Sequence, residues 1–350
     1  MQVSTEAEFD QTHWIPVTRR EPLPTHYYHA HFEEMLGFVE VHYAHVLSDD
    51  QRQLANDFRR LPLDARRLYV RLVNRKGRVF SPAQLRYAEL GHLEPLLDSL
   101  RANAWIRGPS ADDVPEILRR LTKSELNRLL LPLVPGMSRA LKKADLVMLA
   151  TTHCSPEQLL SQVEGRLFIQ GKAEDMRFLL FLFFGRVQDG LRQFTMRDLG
   201  LVRTHDYKDH YEARYADRSE ALENWYFARR VHALESAGSR DPASIASLAA
   251  EASGWPEPLH PASATLRDTL AWRLGRRLEQ AGEPGAALAV YRRGGSARCS
   301  ERVARLLLAS GCREEAREFL EQAIDDPGSD EEALVAEDLY ALKFGAKRRS

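Results

Sequence analysis

The sequence predicts a mainly α, multidomain helical fold, and three observations carry that prediction. Apolar residues recur at helical spacing along most of the 350 residues. Ser/Thr-x-x-Glu/Gln signatures, which satisfy two orphan N–H groups at a helix start, occur at 81–84 ("SPAQ"), at Thr122–Glu125 and at 155–158 ("SPEQ"). Toward the C-terminus a 29-residue period carries Leu274 onto Val303, Gly275 onto Ala304, Leu278 onto Leu307, Gly282 onto Gly311, Ala287 onto Ala316 and Tyr291 onto Leu320. Small and large residues alternating about a glycine turn mark stacked helical hairpins of the tetratricopeptide kind, with a connection shorter than the usual period of about 34.

In chain order, "THYYHAHFEEMLGFVEVHYAHVL" (25–47) is the first helix. "SDDQRQLANDFRRL" follows, with Ser48 as N-cap and Asp49 and Asp50 where the helix dipole favours acids. "LDARRLYVRLVNRKG" is a third, predicted to end at Gly77, then "RVF" as a short strand, then helices from "SPAQ" and from "LGHLEPLLDSLRANAWI". Helix, helix, short strand, helix is a winged-helix-like order. "GPSADDVP" (108–115) is a boundary. Two short helices follow it, the second opening at "LTKSE". "PLVPG" interrupts the chain, and "SRALKKADLVMLA" restarts a helix from Ser138. "MRFLLFLFFG" (176–185) is too short to span a bilayer and reads as a buried helix, so no membrane association is expected. "FTMRDLGLVR" (194–203) reads as a turn or short helix leading to an extended segment.

Charge is informative in its distribution, since the formal net charge is only −1. Residues 66–86 hold Arg66, Arg67, Arg71, Arg75, Lys76, Arg78 and Arg86 and no acid. Residues 117–143 hold Arg119, Arg120, Lys123, Arg128, Arg139, Lys142 and Lys143 against Glu125 alone, whereas 314–338 is crowded with acids. A chain polarised in this way can hold a polyanion on one side. Arg139, Lys142 and Lys143 fall near a predicted helix start, where the dipole disfavours cations and backbone N–H groups accept anions. With Ser138 they are expected to form a phosphate-binding corner. Such contacts position a duplex without reading its sequence.

Catalytic patterns are missing from the sequence. There is no phosphate-binding GxxxxGK[ST] loop, no GxGxxG, no HExxH and no GxSxG. His153 and Cys154 are adjacent and so cannot face each other as a nucleophile–base pair. His42 and His45 have metal-compatible spacing, but without a recognisable fourth ligand they read as boundary residues of an amphipathic helix. Three cysteines, far apart, indicate neither a disulfide framework nor a zinc ribbon and fit a reducing cytoplasm.

"LTKSELNRLLLPLVPGMSRALKKADLVMLA" resembles a SAP domain, a small DNA-binding helical hairpin, through its "LT..EL" opening, its turn and its "KKADL". "RRLYVRLVNRKGRVF" (66–80) and "FLFFGRVQDGLRQFTMRDLGLVR" (181–203) are similar to two signatures of the Fanconi-associated nuclease family. The resemblance implies four parts: a basic N-terminal helical DNA-binding domain (1–108), a SAP-type domain (109–153), a helical connecting region (154–219) and a tetratricopeptide-like domain (220–350). It also implies a structure-specific 5′-flap endonuclease and 5′-to-3′ exonuclease of interstrand crosslink repair, using magnesium or manganese. Catalysis in that family belongs to a C-terminal nuclease domain, which has no counterpart in these residues. The chain is therefore expected to be an N-terminal portion that binds no metal itself and works with that domain. The expected partner is branched or flap duplex DNA, with a dimer forming on it, in a bacterial cytoplasm at the nucleoid or in a eukaryotic nucleus. The contacts implied are Lys123, Arg139, Lys142 and Lys143 of the hairpin, with Arg71, Arg75, Lys76 and Arg78 along the same path. The alternative is a tetratricopeptide-type protein-interaction scaffold.

Overall fold

A computed structural model describes residues 24–188, 190–191, 213–236 and 242–345. The expected turn and extended segment at 194–203 lie outside them. The chain divides into two compact units, Met1–Glu212 and Ala213–Ser350.

The first unit begins with α1 (Tyr27–His42), α2 (Asp49–Arg60) and α3 (Leu63–Val73), then strand β1 (Val79–Phe80), helix α4 (Glu94–Ala102) and strand β2 (Ile106–Arg107). Helices α5 (Val114–Arg120), α6 (Lys123–Leu130), α7 (Lys143–His153) and α8 (Pro156–Ser161) follow. Strand β3 (Phe168–Gln170) and α9 (Ala173–Phe184) come next among the described residues. Several starts follow the local chemistry read from the sequence. Ser48 and Gln51 form a full capping box at α2, Thr122 and Glu125 at α6, and Ser155 and Gln158 at α8.

Three local expectations are corrected. "SPAQ" makes only a single 3-10 turn, Pro82–Gln84, and Ser81 makes no capping bond. Helix α3 stops at Val73 rather than near Gly77. The Asn74 side chain there turns aside to accept the Leu191 N–H at 2.7 Å. Helix α7 begins at Lys143, not at Ser138. The Ser138 hydroxyl instead accepts the Ala140 N–H at 3.2 Å, within the preceding turn.

Residues 168–184, which sequence placed in a connecting region, return to the N-terminal helices. Strand β3 lies between β1 and β2, antiparallel to both, with Val79 opposite Ile169 and Ile106 opposite Gln170. Helix α9, the apolar "MRFLLFLFF" run, packs on α1. Gly171 makes this return possible. A Cβ there would stand 2.5 Å from the Ala104 carbonyl oxygen, and its N–H bonds the Trp105 carbonyl at 2.8 Å. Below lies an aromatic core in which Phe58 meets Phe32, and Trp105 meets both Phe58 and Tyr69, all sealed from solvent. Truncating any one of these to alanine should cost about 3–5 kcal/mol. The α5–α8 segment, inserted between β2 and β3, has its own core of Leu126, Leu130, Leu146 and Ala150 under Ile117 and Ile169.

The second unit is a run of helices: α10 (Arg218–Ser236), α11 (Pro242–Ala250), α12 (Pro261–Gln280), α13 (Pro284–Tyr291), α14 (Ala297–Ala309), α15 (Arg313–Asp325) and α16 (Asp330–Phe344). The 29-residue period corresponds to two helical pairs, α12–α13 and α14–α15. Leu274, Leu278, Ala287 and Tyr291 are buried, as are their equivalents Val303, Leu307, Ala316 and Leu320. Gly282 and Gly311 both turn the chain at φ +80°. Gly275 is required by close approach, since a Cβ there would sit 2.5 Å from the Tyr291 ring. The Tyr291 hydroxyl in turn donates to Glu279 at 2.6 Å, and Arg302 of α14 also engages Glu279, tying three helices together. Many of the C-terminal acids sit in first helical turns, Glu314 and Glu315 in α15 and Asp330 to Glu332 in α16, where the dipole stabilises them. Among the described residues no helix is long and apolar enough to cross a membrane.

Candidate nucleic-acid interface

The two basic blocks have different fates. In the first, acids distant in sequence neutralise several of the arginines. Arg71 gives Nε and Nη2 to Glu89 Oε1 at 3.1 and 2.5 Å and lies 3.8 Å over the Tyr28 ring. Arg78 grips Glu116 through Nε and Nη2 at 3.0 and 2.8 Å, and its backbone N–H bonds the other carboxylate oxygen at 2.9 Å. Arg66 reaches Glu33, and Arg67 pairs with Asp64. Arg75 stands half-buried over the Tyr87 ring, 5.3 Å from its centroid. Lys76 is exposed beyond the end of α3. Of the four contacts expected on this stretch, Arg71 and Arg78 are therefore engaged within the fold.

The second block is arranged differently. Lys123, Ser124, Asn127, Arg128, Leu131 and Arg139 line an open groove of about 560 Å³ on the α6 side of the hairpin. Lys142 stands at the N-cap of α7 and Lys143 at its first position. Among the described residues Lys123, Arg128, Arg139 and Lys142 have no carboxylate partner. The Lys123 ammonium donates to the Ala140 carbonyl at 3.1 Å and so fixes the turn against α6. It retains two further donors.

The cations at the start of α7 have a structural explanation. Lys143 Nζ donates at 2.7 Å to the Arg119 carbonyl, at the C-terminal end of α5, where helices leave acceptors unpaired and favour positive charge. Asp145 supplies the negative charge that the α7 terminus favours and accepts the Lys142 N–H at 3.2 Å. The corner expected around Ser138 is thus replaced by a groove that brings Lys123 and Arg139 together across the turn, with Arg128 added. Arg128, five residues beyond Lys123, belongs to the basic block but not to the contacts that the resemblance implies. Its signal was the lack of any acid but Glu125 nearby, and Glu125 is occupied by Thr122.

Behind α6 a second concavity of about 580 Å³ lies between the Pro82–Gln84 turn, α6 and the 162–167 segment. Among the described residues no group of three His, Cys, Asp or Glu side chains comes together as a metal ion requires, so the described part of the chain does not fit the metal of the resemblance.

Comparison with known proteins agrees with this fold. The family model for the FAN1 helix-turn-helix domain matches residues 26–107. A Fanconi-associated nuclease 1 homolog of Pseudomonas aeruginosa is 27% identical over 188 residues, covering 52% of this chain and 33% of that protein. One from Oryza sativa subsp. japonica is 25% identical over 190 residues, covering 50% of this chain and 20% of its own length. The chain thus matches a third or less of these relatives' lengths. A crystal structure of paFAN1 bound to DNA with a one-nucleotide 5′ flap and a gap superposes with TM-score 0.71 at 22% identity, over 93% of this chain and 61% of that one. The complex with a two-nucleotide flap gives TM-score 0.67 at 23% identity, over 94% and 61%. The similarity of fold runs along most of the chain, and the sequence matches fall on Fanconi-associated nuclease 1 homologs.

Proposed function

We propose that this chain is the DNA-binding, substrate-orienting part of a structure-specific nuclease that acts on 5′-flap DNA in interstrand crosslink repair. The observation that carries the reading is the α6–α7 hairpin, where Lys123, Arg128 and Arg139 line an open groove, Lys142 stands at the N-cap of α7, and none of the four has a carboxylate partner among the described residues. Unpaired cations on an open surface favour a polyanion, because each phosphate neutralised releases condensed counterions. In this reading α6, the turn and α7 act as a SAP-type module. Arg75 and Lys76 extend the path on the N-terminal domain, while Arg71 and Arg78 hold that domain together. The α12–α15 pairs serve as a tetratricopeptide-like hub.

Phosphodiester cleavage, with its magnesium or manganese, is assigned to a further nuclease domain, and no catalytic step is assigned to the residues described here. The relatives' names support a nuclease, and the DNA in the related complexes supports a 5′-flap partner. The test is fluorescence anisotropy of the 350-residue chain against a 5′ flap, a blunt duplex and a single strand at two salt concentrations. Salt-sensitive binding that favours the flap is expected. Absence of binding at low salt would overturn the assignment.

A further inference from the structure

The concavity behind α6 shares one residue with the basic groove, and that residue is Arg128. We infer that this cleft receives the base of an unpaired nucleotide whose neighbouring duplex lies on the groove. The inference rests on the groove reading and adds a ligand class to it.

Size and walls support it. About 580 Å³ falls within the range of small-molecule sites, roughly 300–1,000 Å³. The floor is made of Leu121, Leu129 and Val163. These remain 8%, 6% and 6% exposed, whereas Leu126, Leu130, Leu146 and Ala150 of the same core are sealed. The core opens into the cleft there, so a flat aromatic ring would cover apolar surface that water now touches.

The polar groups match a base edge. Glu125 accepts the Thr122 N–H and hydroxyl on Oε2, both at 2.7 Å, and those bonds hold its carboxyl below the usual range. Its Oε1 accepts the Gln84 amide at 3.2 Å, which fixes that side chain across the cleft with its own carbonyl still to be satisfied. On the opposite wall the Gln162 carboxamide has no partner among the described residues. A carboxamide carries the adjacent donor and acceptor that pair with base edges, which are readable once a base is unstacked.

The rim carries two cations beside the exposed carboxylate of Glu94. Arg128 and Arg166 both line the cleft, both are exposed, and neither has a carboxylate partner among the described residues. Lys123, Ser124 and Asn127 of α6 face the groove, and Glu125 and Leu129 face the cleft. A strand leaving a duplex on one side of α6 would cross Arg128 to reach the other side, with Arg166 placed for the next phosphate.

The test uses the 350-residue chain and 2-aminopurine as the unpaired base. Three probes are titrated: a duplex with a one-nucleotide 2-aminopurine overhang, the same duplex with an abasic overhang, and a single-stranded pentanucleotide carrying 2-aminopurine. The expected result is a saturable fluorescence change and about tenfold tighter binding with the base than without it. Gln162→Ala, and Ala83→Trp, which fills the cleft from an exposed position on its rim, should each bring that ratio to one. Both should leave blunt-duplex affinity unchanged. Circular dichroism checks that the tryptophan variant folds, and the alanine variant keeps the test decisive if it does not.

Equal affinity for base and abasic overhangs, with salt-sensitive duplex binding intact, would overturn the cleft and leave the groove standing. Should the blunt duplex not bind at all, the groove reading falls and the pentanucleotide decides alone. A signal lost in Ala83→Trp would support the cleft, and no signal would end the proposal.

Discussion

Among the described residues Lys123, Arg128, Arg139 and Lys142 of the α6–α7 hairpin have no carboxylate partner, and they are taken as four phosphate contacts because Lys143 is held by the Arg119 carbonyl. If each neutralises one phosphate, the slope of log affinity against log salt should be about −3.6, at about 0.9 per contact. Affinity for a duplex should then fall roughly 150-fold between about 50 and about 200 mM salt. Reversing Arg139 and Lys142 to glutamate removes two contacts, so the slope should drop to about −1.8 and the loss over the same range to roughly 12-fold. The control is an arginine of the other block. Arg78→Ala leaves Glu116 with only the backbone N–H of residue 78 and should cost about 1–3 kcal/mol of stability, yet the salt slope should not change, because that charge is already balanced within the fold. Anisotropy of a labelled duplex across the salt range measures all three proteins. The reasoning is refuted if the double reversal leaves the slope unchanged, or if Arg78→Ala flattens it as much as the double reversal does.

Other predictions concern the scaffold that carries the groove. Burial pushes the Asp113 carboxyl up, but Arg107 and the Ser110 N–H and hydroxyl outweigh it and hold the pKa at about 2. A depressed folded-state pKa stabilises the protein above the unfolded value near 4, and this contribution is lost as pH falls toward about 2; it should amount to about 2 kcal/mol. Acid titration of unfolding free energy should therefore show one proton less uptake in Asp113→Asn than in the parent. Gly275→Ala drives a methyl against the Tyr291 ring and should lower stability by about 1–3 kcal/mol in thermal unfolding. Ala304→Gly at the equivalent repeat position should cost only about 1 kcal/mol. Burial pushes the Cys299 thiol up to about 11, whereas Cys312 is exposed. A thiol reagent should label Cys312 in the native protein and Cys299 only on unfolding, and equal native rates would contradict this packing.

What was legible in the sequence, and what was not, follows the range of each interaction. The N-cap at Ser48 and the capping boxes at Thr122 and Ser155 bond residues three apart and were legible in a short string, whereas the same pattern at Ser81 gave only a 3-10 turn without a capping bond. The 29-residue repeat was equally visible, because Gly282 and Gly311 serve the same turn and Leu274 and Val303 the same core. Strand β3 was not visible. Its pairing partners Val79, Phe80, Ile106 and Arg107 are distant in sequence, and Gly171 is what lets the chain approach the Ala104 carbonyl. The blocks of arginine are the instructive case. Local absence of acid in 66–86 looked like a free basic face, but Glu33, Glu89 and Glu116 reach it from other elements. Over 117–143 the same signal marks unpaired charge, because Glu125 is held by Thr122 and Gln84 and Asp145 by the start of α7. A run of positive charge in a sequence therefore becomes evidence of a polyanion site only once the occupation of the nearest carboxylates is known. On this hairpin Glu125 and Asp145 are occupied by capping, which is the physical ground for proposing an outside anion as the partner of Lys123, Arg128, Arg139 and Lys142.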